Sequence, residues 1–456
     1  MSLGNARHQK SGQPGRTVGG KGEARPKAVR DEAGLARHEP EGSGRADLLE
    51  QVLARENLAL AWKRVKSNRG SAGVDGLTIQ ATAEYLKTHW SQIKETLQNG
   101  SYRPQPVRRV QIPKSGGGMR ELGIPTVTDR LIQQALLQVL QPLIDPTFSE
   151  HSYGFRPGRR AHDAVLSARR YVQEGYRVVV DVDLEKFFDR VNHDVLMDRL
   201  AKRIDDKAVL RLIRRYLNAG VMGNGIVMER YEGTPQGGPL SPLLANVLLD
   251  EVDQELERRG HRFVRYADDC NVYVRSQKAG ERVLNGLRKH YDRLHLKVNE
   301  TKTAVASAFG RKFLGYSLWL APGGVVKHAV AGTAKAAFKR RIRQITRRNG
   351  GRSLEQVAEE LRRYVPGWKA YFKLAQTPKV FRQLDEWLRH RLRALQLKHW
   401  RRGKTIYREL LAMSASEAVA RKVAANSHCW WHNSRLAMNR AMPIAYFDRI
   451  GVPRLS

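Results

Sequence analysis

Asp268 and Asp269 stand side by side in Tyr266-Ala-Asp-Asp269. The flanking arms, 262–266 and 270–275, are rich in Val and aromatic residues, so the pair sits at the tip of a predicted hairpin. Like charges so placed repel one another, and a divalent cation removes that penalty. Hard oxygen ligands suit Mg²⁺, which keeps waters and shares substrate phosphates. A second source of carboxylate is the predicted strand Arg177-Val-Val-Val-Asp-Val-Asp183. Strand alternation puts Val180 and Val182 on one face and Asp181 and Asp183 on the other. With Asp183 the set becomes a site for two Mg²⁺ ions. Two such metals, about 3.5–4 Å apart, activate a primer 3′-hydroxyl and stabilise a leaving pyrophosphate. The plain alternative is a solvated acidic turn. The Asp-x-Asp strand argues against it, as does a chain whose 81 Lys and Arg outnumber 45 Asp and Glu by 36.

That net charge of +36 is costly unless a polyanion neutralises it. Nucleic acid is the natural partner, because Lys and Arg replace counterions along phosphates. A packing protein of the ribosomal or chromatin kind, or one adhering to anionic membranes, is the competing class. The two cysteines, Cys270 and Cys429, form no CxxC pair, which excludes a zinc ribbon and a disulfide framework and fits a reducing cytoplasm. No apolar run approaches the roughly 18 residues of a membrane span. The N-terminal residues lack the apolar stretch expected of a signal peptide.

The elements that must carry the carboxylates read as a mixed α+β region. Residues 1–45 have almost no large apolar residues and are expected to be a disordered basic tail. Helical patterns cover 47–66, 80–98 and 128–143, with strands at 107–113 and 122–125 around a glycine-rich tip at 115–118. After the strand 177–183 come helices at 194–203, 206–218 and 240–259, the hairpin 262–275, a helix at 278–294 and a strand at 313–320. Beyond about residue 330 the pattern is helical. Phe381, Leu384, Trp387, Leu388, Leu392 and Leu395 line one helix face, with basic residues elsewhere on it.

Several further blocks, in order, resemble one family. Ile112-Pro-Lys-Ser-Gly-Gly-Gly-Met-Arg-Glu-Leu-Gly-Ile-Pro125 resembles the fingers hairpin of reverse transcriptases, and His151-Ser-Tyr-Gly-Phe-Arg-Pro-Gly-Arg-Arg-Ala-His-Asp163 the block after it. Asp183-Leu-Glu-Lys-Phe-Phe-Asp-Arg-Val-Asn-His193 resembles the first catalytic motif, and Gly233-Thr-Pro-Gln-Gly-Gly-Pro-Leu-Ser-Pro242 the nucleotide-cradling motif. Val298-Asn-Glu-Thr-Lys-Thr303 and Phe313-Leu-Gly-Tyr316 resemble the last palm blocks. With Tyr266-Ala-Asp-Asp269, the set over about 45–456 resembles the group II intron reverse transcriptase/maturase family.

The resemblance implies a right-hand-like fingers and palm over 46–329. It implies an all-helical thumb, the maturase or X domain, over 330–405 and a small helical DNA-binding unit over 406–456. It assigns catalysis and metal binding to Asp183, Asp268 and Asp269, with the Leu184 carbonyl also facing a metal. Asp181 competes with Asp183 for the first place. Phe188 would lie under the incoming sugar and reject a 2′-hydroxyl, although core packing suits it too. Lys114 and Arg120 would reach the triphosphate, Arg bidentately. Gln236 and Gly237 would press on nucleotide or template, since glycine permits close backbone approach. Lys302 would stand near the triphosphate. Arg156, Arg159 and Arg160 would meet template or primer phosphates. Tyr266, Trp368 and Lys369 complete the expected nucleic-acid contacts, with helix core the bland reading for Trp368. His193 is expected to cap or pack.

The implied activity is RNA-directed DNA synthesis from dNTPs on an RNA template with a DNA or RNA primer. Maturase action on the parent intron RNA would accompany it, and together they imply mobility into target DNA by target-primed reverse transcription. With two cysteines and the resemblance to small bacterial members of the IIC class, a Cys-rich HNH endonuclease is not expected. Bottom-strand cleavage is therefore not expected, and a primer would come from elsewhere, such as a replication fork. Three rivals share part of the pattern: a domesticated polymerase of host defence or CRISPR adaptation, a non-catalytic RNA chaperone, and an RNA-dependent RNA polymerase. The helical C-terminal part argues against the first, the acidic set against the second, and Phe188 against the third.

Overall fold

The computed structural model describes residues 48–113, 118–223, 226–228 and 231–456. The expected tail, Lys114 and most of the glycine-rich tip lie outside the described residues. The chain is a mixed helix-and-sheet protein built around one central sheet. That sheet has the order β6-β7-β3-β8, with β3 Val178–Val182, β6 Arg262–Tyr266, β7 Asp269–Val274 and β8 Ala304–Ser307. All its pairings are antiparallel. Val-rich sequence suits β3, which is covered on both sides.

The two faces of this sheet feed two different cores. Val180, Val182, Phe263, Cys270 and Val272 pack into one cluster with α4 (Val127–Ile144), α8 (Ser241–Arg258) and α9 (Gln277–Arg293). That cluster also takes in α1 (Leu48–Leu53), α2 (Arg55–Ser67), α6 (His193–Ala201) and α7 (Lys207–Asn218), with α3 (Ile79–Gln98) packed at its edge. Val179, Val264 and Tyr273 face the other way. They join α5 (Ala161–Gln173) and the long helices α10 (Gly332–Ile345), α11 (Leu354–Tyr371) and α12 (Pro378–Trp400). The second cluster runs on without a break through five short helices, from α13 (Gly403–Ala412) to α17 (Ile444–Arg449).

Local sequence explains the helix ends that matter here. Pro242 in the first turn of α8 needs no backbone donor there. Ser276 caps α9 by accepting from the Ala279 amide at 3.3 Å. Ser353 and Gln356 close a capping box on α11.

A second sheet, β2-β1-β4-β5, joins β1 (Val107–Pro113) and β2 (Met119–Ile124) to the short strands β4 (Val221–Gly223) and β5 (Ile226–Met228). A third holds β9 (Lys312–Phe313), β10 (Tyr316–Leu320) and β11 (Val326–Val330). The single strand expected over 313–320 is thus broken. Leu314 and Gly315 both take positive φ, 48° and 82°, and turn the chain between β9 and β10. Among the described residues no helix is long and apolar enough to cross a membrane.

Candidate active site

The β6–β7 register pairs Tyr266 with Asp269, which leaves Ala267 and Asp268 as a two-residue turn. Ala267 takes a φ of +58°, a left-handed conformation that costs a non-glycine residue of order 1–3 kcal/mol and persists only where surroundings impose it. Those surroundings are explicit. Arg265 Nη1 donates to the Ala267 carbonyl at 2.9 Å and to Asn246 Oδ1 at 2.9 Å. Its other nitrogens grip Asp253 on α8 bidentately, at 2.5–2.8 Å. Asn246 in turn donates to the Gly154 carbonyl at 2.9 Å. Gly154 lies directly beneath the turn: a Cβ there would be 2.2 Å from the Ala267 nitrogen. Residues 151–153 pair along β6, the Arg265 amide donating to His151 and Tyr153 donating to Arg265, both at 2.9 Å.

Sequence reasoning missed this support. The signal was present: an arginine inside a strand buried on both faces needs a counter-charge. Asn246 and Asp253, seven residues apart, interrupt the otherwise apolar α8 on one side.

The β3–β7 register pairs Val182 with Cys270. One step further sets Asp183 beside Asp269, so two carboxylates from the hairpin meet the end of β3. Burial raises the Asp268 pKa, and the Asp183 charge raises it further. Asp269 is pushed up to about 7 by burial first and then by Asp268, Asp181 and Asp183. Carboxylates that repel one another in a half-dry site fit a hard divalent cation, which would relieve both penalties. Among the described residues no group of three or more His, Cys, Asp or Glu is placed to hold a metal ion by itself. A cation bound by these carboxylates would therefore need waters and substrate oxygens to complete its shell.

Asp181 and Asp183 are told apart by their partners. Asp181 receives Arg311 Nε at 2.9 Å, and burial is the main cause raising its pKa. Asp183 faces Lys302 Nζ at 3.2 Å, on an exposed lysine that can swing away. The backbone of Asp183 is pinned on both sides, its amide donating to Thr303 Oγ1 at 3.1 Å and its carbonyl accepting from Asn299 at 2.8 Å. Leu184 is buried and bridges to Val298. In this state Lys302 is paired with Asp183.

Phe188 lies in a one-turn 3-10 helix, Phe187–Asp189, half-buried and edge-on to Phe187 at 5.1 Å. The glycine-rich loop is stitched to that turn. Thr234 donates to the Phe188 carbonyl and Gly233 to the Val191 carbonyl, both at 2.7 Å. Gly233 has a φ of +88°, and a Cβ on it would be 2.8 Å from the Asp189 carbonyl oxygen. On its other side the loop clamps β2, where the Gln236 carbonyl accepts from Gly123 at 2.9 Å. A Cβ on Gly237 would press to 2.6 Å from the Gly123 carbonyl. Thus Phe188, Gln236 and Gly237 belong to one rigid assembly joining the two sheets. Arg120, exposed on β2, acts on the Asp268 charge. His193 is buried beneath the loop, with Nε2 2.7 Å from the Gly233 carbonyl, and packs as expected.

The expected nucleic-acid contacts need correction. Arg156 is 7% exposed and fully committed inside the protein: its guanidinium pairs with Asp145 at 2.9 Å and donates to the Ser149 and Ser152 carbonyls. It is a brace with no donor left for a phosphate. Trp368 is 5% exposed, wedged between Phe338 and Phe372 at 4.5 and 4.6 Å, so it is core. Lys369 is exposed but reaches the Arg454 carbonyl at 3.3 Å. Arg159 pairs with Glu150 at 2.7 Å. Arg160 is exposed and makes no ion pair among the described residues. Tyr266 is half-buried against the second core.

Residues 112–318 match the family model described as reverse transcriptase (RNA-dependent DNA polymerase), and residues 335–412 match the maturase-specific domain of group II introns. Protein YkfC of Escherichia coli K12 is 37% identical over 218 residues, covering 46% of this chain and 57% of that protein. The group II intron-encoded protein LtrA of Lactococcus lactis subsp. cremoris is 30% identical over 337 residues, 59% of this chain and 56% of that one. The chain spans little more than half the length of these relatives. Among solved structures, telomerase from Candida albicans aligns over 77% of this chain and 69% of its own, with 13% identity and a TM-score of 0.39.

Proposed function

Because the chain belongs to the group II intron reverse transcriptase/maturase family, with its reverse-transcriptase domain at residues 112–318 and its maturase-specific domain at 335–412, we propose that it is an RNA-directed DNA polymerase that also serves as maturase for a parent intron RNA. Residues 46–329 act as fingers and palm, 330–405 as thumb, and 406–456 as a DNA-binding region. The partners are the intron RNA, an RNA template with a DNA or RNA primer, target DNA and dNTPs, in a bacterial cytoplasm.

The observation that carries this reading is the meeting of Asp183 with Asp268 and Asp269 at the joined ends of β3 and β7, buried enough to push Asp269 up to about 7. Asp183, Asp268, Asp269 and the Leu184 carbonyl would hold two Mg²⁺ ions. Bound there, the ions supply Lewis-acid activation of the primer hydroxyl and charge stabilisation of the leaving pyrophosphate. The chain's own residues do the rest. Phe188 excludes a 2′-hydroxyl from the sugar position. Gln236 and Gly237 set the wall against which nucleotide or template rests. Lys114 and Arg120 bind the triphosphate, and Lys302 leaves Asp183 to join them. The Arg265 network keeps the hairpin turn in its strained conformation without reorganisation during the reaction.

The test is incorporation by the wild-type chain on an RNA template with a DNA primer, dNTPs against rNTPs, with splicing of the parent intron RNA measured alongside. Efficient extension with dNTPs and faster splicing support both activities. RNA binding without extension would favour the chaperone reading.

A further inference from the structure

The helix α9 carries Arg282, Lys289 and Arg293 at spacings of seven and four residues. On a helix these fall within about 40° of one line and span roughly 16 Å. Gly286 stands in the same line and leaves it open, with only the Arg259 guanidinium near at 3.3 Å. The last turn of α8 adds Arg258, and Arg259 follows it. Together these residues line a groove of about 630 Å³.

Charge in this groove is not balanced. Glu255 is the one carboxylate among its lining residues, set against five Lys and Arg, which leaves a surplus of four positive charges. Arg258 and Arg259 are both bound to Glu255, at 2.7 and 2.5 Å. Arg282, Lys289 and Arg293 make no ion pair or side-chain hydrogen bond among the described residues. Their neighbour Arg288, on another side of the same helix, is paired with Glu300 at 2.6 Å. His290 adds nothing, since burial and the neighbouring arginines lower its pKa.

The groove faces away from the carboxylates. Val180, Val182, Cys270 and Val272 point to the α8–α9 side, in one cluster with Leu284 and Leu287 of α9. Asp181, Asn271 and Asp269 alternate to the opposite side, with Val179 and Tyr273. The sheet and a helix layer therefore separate the groove from the catalytic cleft.

We propose that this groove on the back of the palm grips the phosphodiester backbone of a second stretch of RNA, apart from any template in the cleft. The inference rests on the reading that the chain binds a structured intron RNA. An RNA strand carries one phosphate per nucleotide, so a row of three cations about 16 Å long can run along successive phosphates of one strand. Arg258 and Arg259, already neutralising Glu255, flank that row.

The test uses the full chain with its cleft first saturated by a short RNA template annealed to a DNA primer. A 30-base-pair RNA hairpin is the probe. Acetylation of lysines, read by mass spectrometry, should show Lys289 protected at least about threefold by the hairpin. The triple variant Arg282→Gln, Lys289→Gln, Arg293→Gln should bind the hairpin about tenfold more weakly, with a salt slope reduced by about 3, each lost phosphate contact being worth roughly 0.9. Its primer extension on the short template should equal that of wild type. Full acetylation of Lys289, protection by a DNA duplex of equal length but not by RNA, or an unchanged salt slope would overturn the inference. Failure of wild type to extend primers, with Lys289 still protected, would sink the polymerase reading and leave the groove standing. Should the triple variant fold poorly, the wild-type footprint and the single variant Lys289→Gln decide.

Discussion

Arg265 and Asp253 form the most deeply buried of the ion pairs between described residues, with side chains 1% and 0% exposed and a shortest contact of 2.5 Å. The pair lies under the turn that carries Asp268, and one nitrogen of Arg265 holds the Ala267 carbonyl in place. Removing one partner of such a pair strands the other. Arg265→Met should therefore cost about 3–5 kcal/mol of stability. The double variant Arg265→Met, Asp253→Leu should regain most of that, since neither charge is left alone, but should not regain kcat. Thermal melts beside primer-extension kinetics separate the two effects. Recovery of both together would make the pair a purely structural feature.

Gly154 gives a second route to the same turn. An added Cβ would meet the Ala267 nitrogen at 2.2 Å. Gly154→Ala should displace the hairpin tip and lower kcat about a hundredfold, the scale on which misplacement by roughly 1 Å acts. KM for dNTP should move much less, because the loop at 233–238 is not in that contact. Pre-steady-state extension would measure both, and a loss confined to KM would contradict the assignment.

The Asp269 carboxyl yields a pH prediction. Its ordinary value is 3.8, and burial with three nearby carboxylates pushes it up to about 7. The folded state thus holds this proton more tightly than the unfolded chain. Stability from that proton is complete below pH 4 and is lost as pH rises through 7. Without divalent ions, Asp269→Asn should flatten the decline in melting temperature between pH 5 and 8 relative to wild type. A divalent cation competes with the proton, so added Mg²⁺ should stabilise wild type more at pH 8 than at pH 6. An equal shift at both would show that Asp269 does not see the metal.

Much of this site was legible in the sequence. Alternation along 177–183 separated Asp181 and Asp183 from Val180 and Val182, and the β-rich arms around Asp268 and Asp269 marked a hairpin. The helices at 194–203, 206–218, 240–259 and 278–294 followed from apolar periodicity, but α5, β11, the short strands β4 and β5, and β8 beside β3 in the central sheet were not foreseen. What the pattern did not carry was the state of each cation. Arg156 sits in a run of exposed-looking arginines yet is buried on Asp145, the residue that directly follows helix α4. Trp368 is interleaved with lysines like a base-stacking residue, but its helix turns it onto Phe338. Both errors have one cause: long-range packing decides whether an arginine or a tryptophan is free, and composition around it does not.

Phe188 supplies the prediction on sugar choice. Its backbone carbonyl is fixed by Thr234 at 2.7 Å, so the turn should survive truncation of the ring. Phe188→Ala should raise kcat/KM for rNTPs at least about tenfold, within the roughly 10–200-fold range of steric discrimination. For dNTPs the change should stay within a few-fold. Single-nucleotide incorporation on one template reads the ratio, and an unchanged ratio would return Phe188 to a packing role.

The central claim is that Asp183 and Asp268, not Asp181, form the polymerising centre. Primer extension with dNTPs and Mg²⁺ on an RNA template, comparing wild type with Asp183→Asn, Asp268→Asn and Asp181→Asn, tests it most directly. Wild-type extension that falls by at least about a thousandfold in the first two variants, and far less in Asp181→Asn, is the predicted result. An active Asp183→Asn enzyme, or a wild type that binds template and primer without extending, would contradict it.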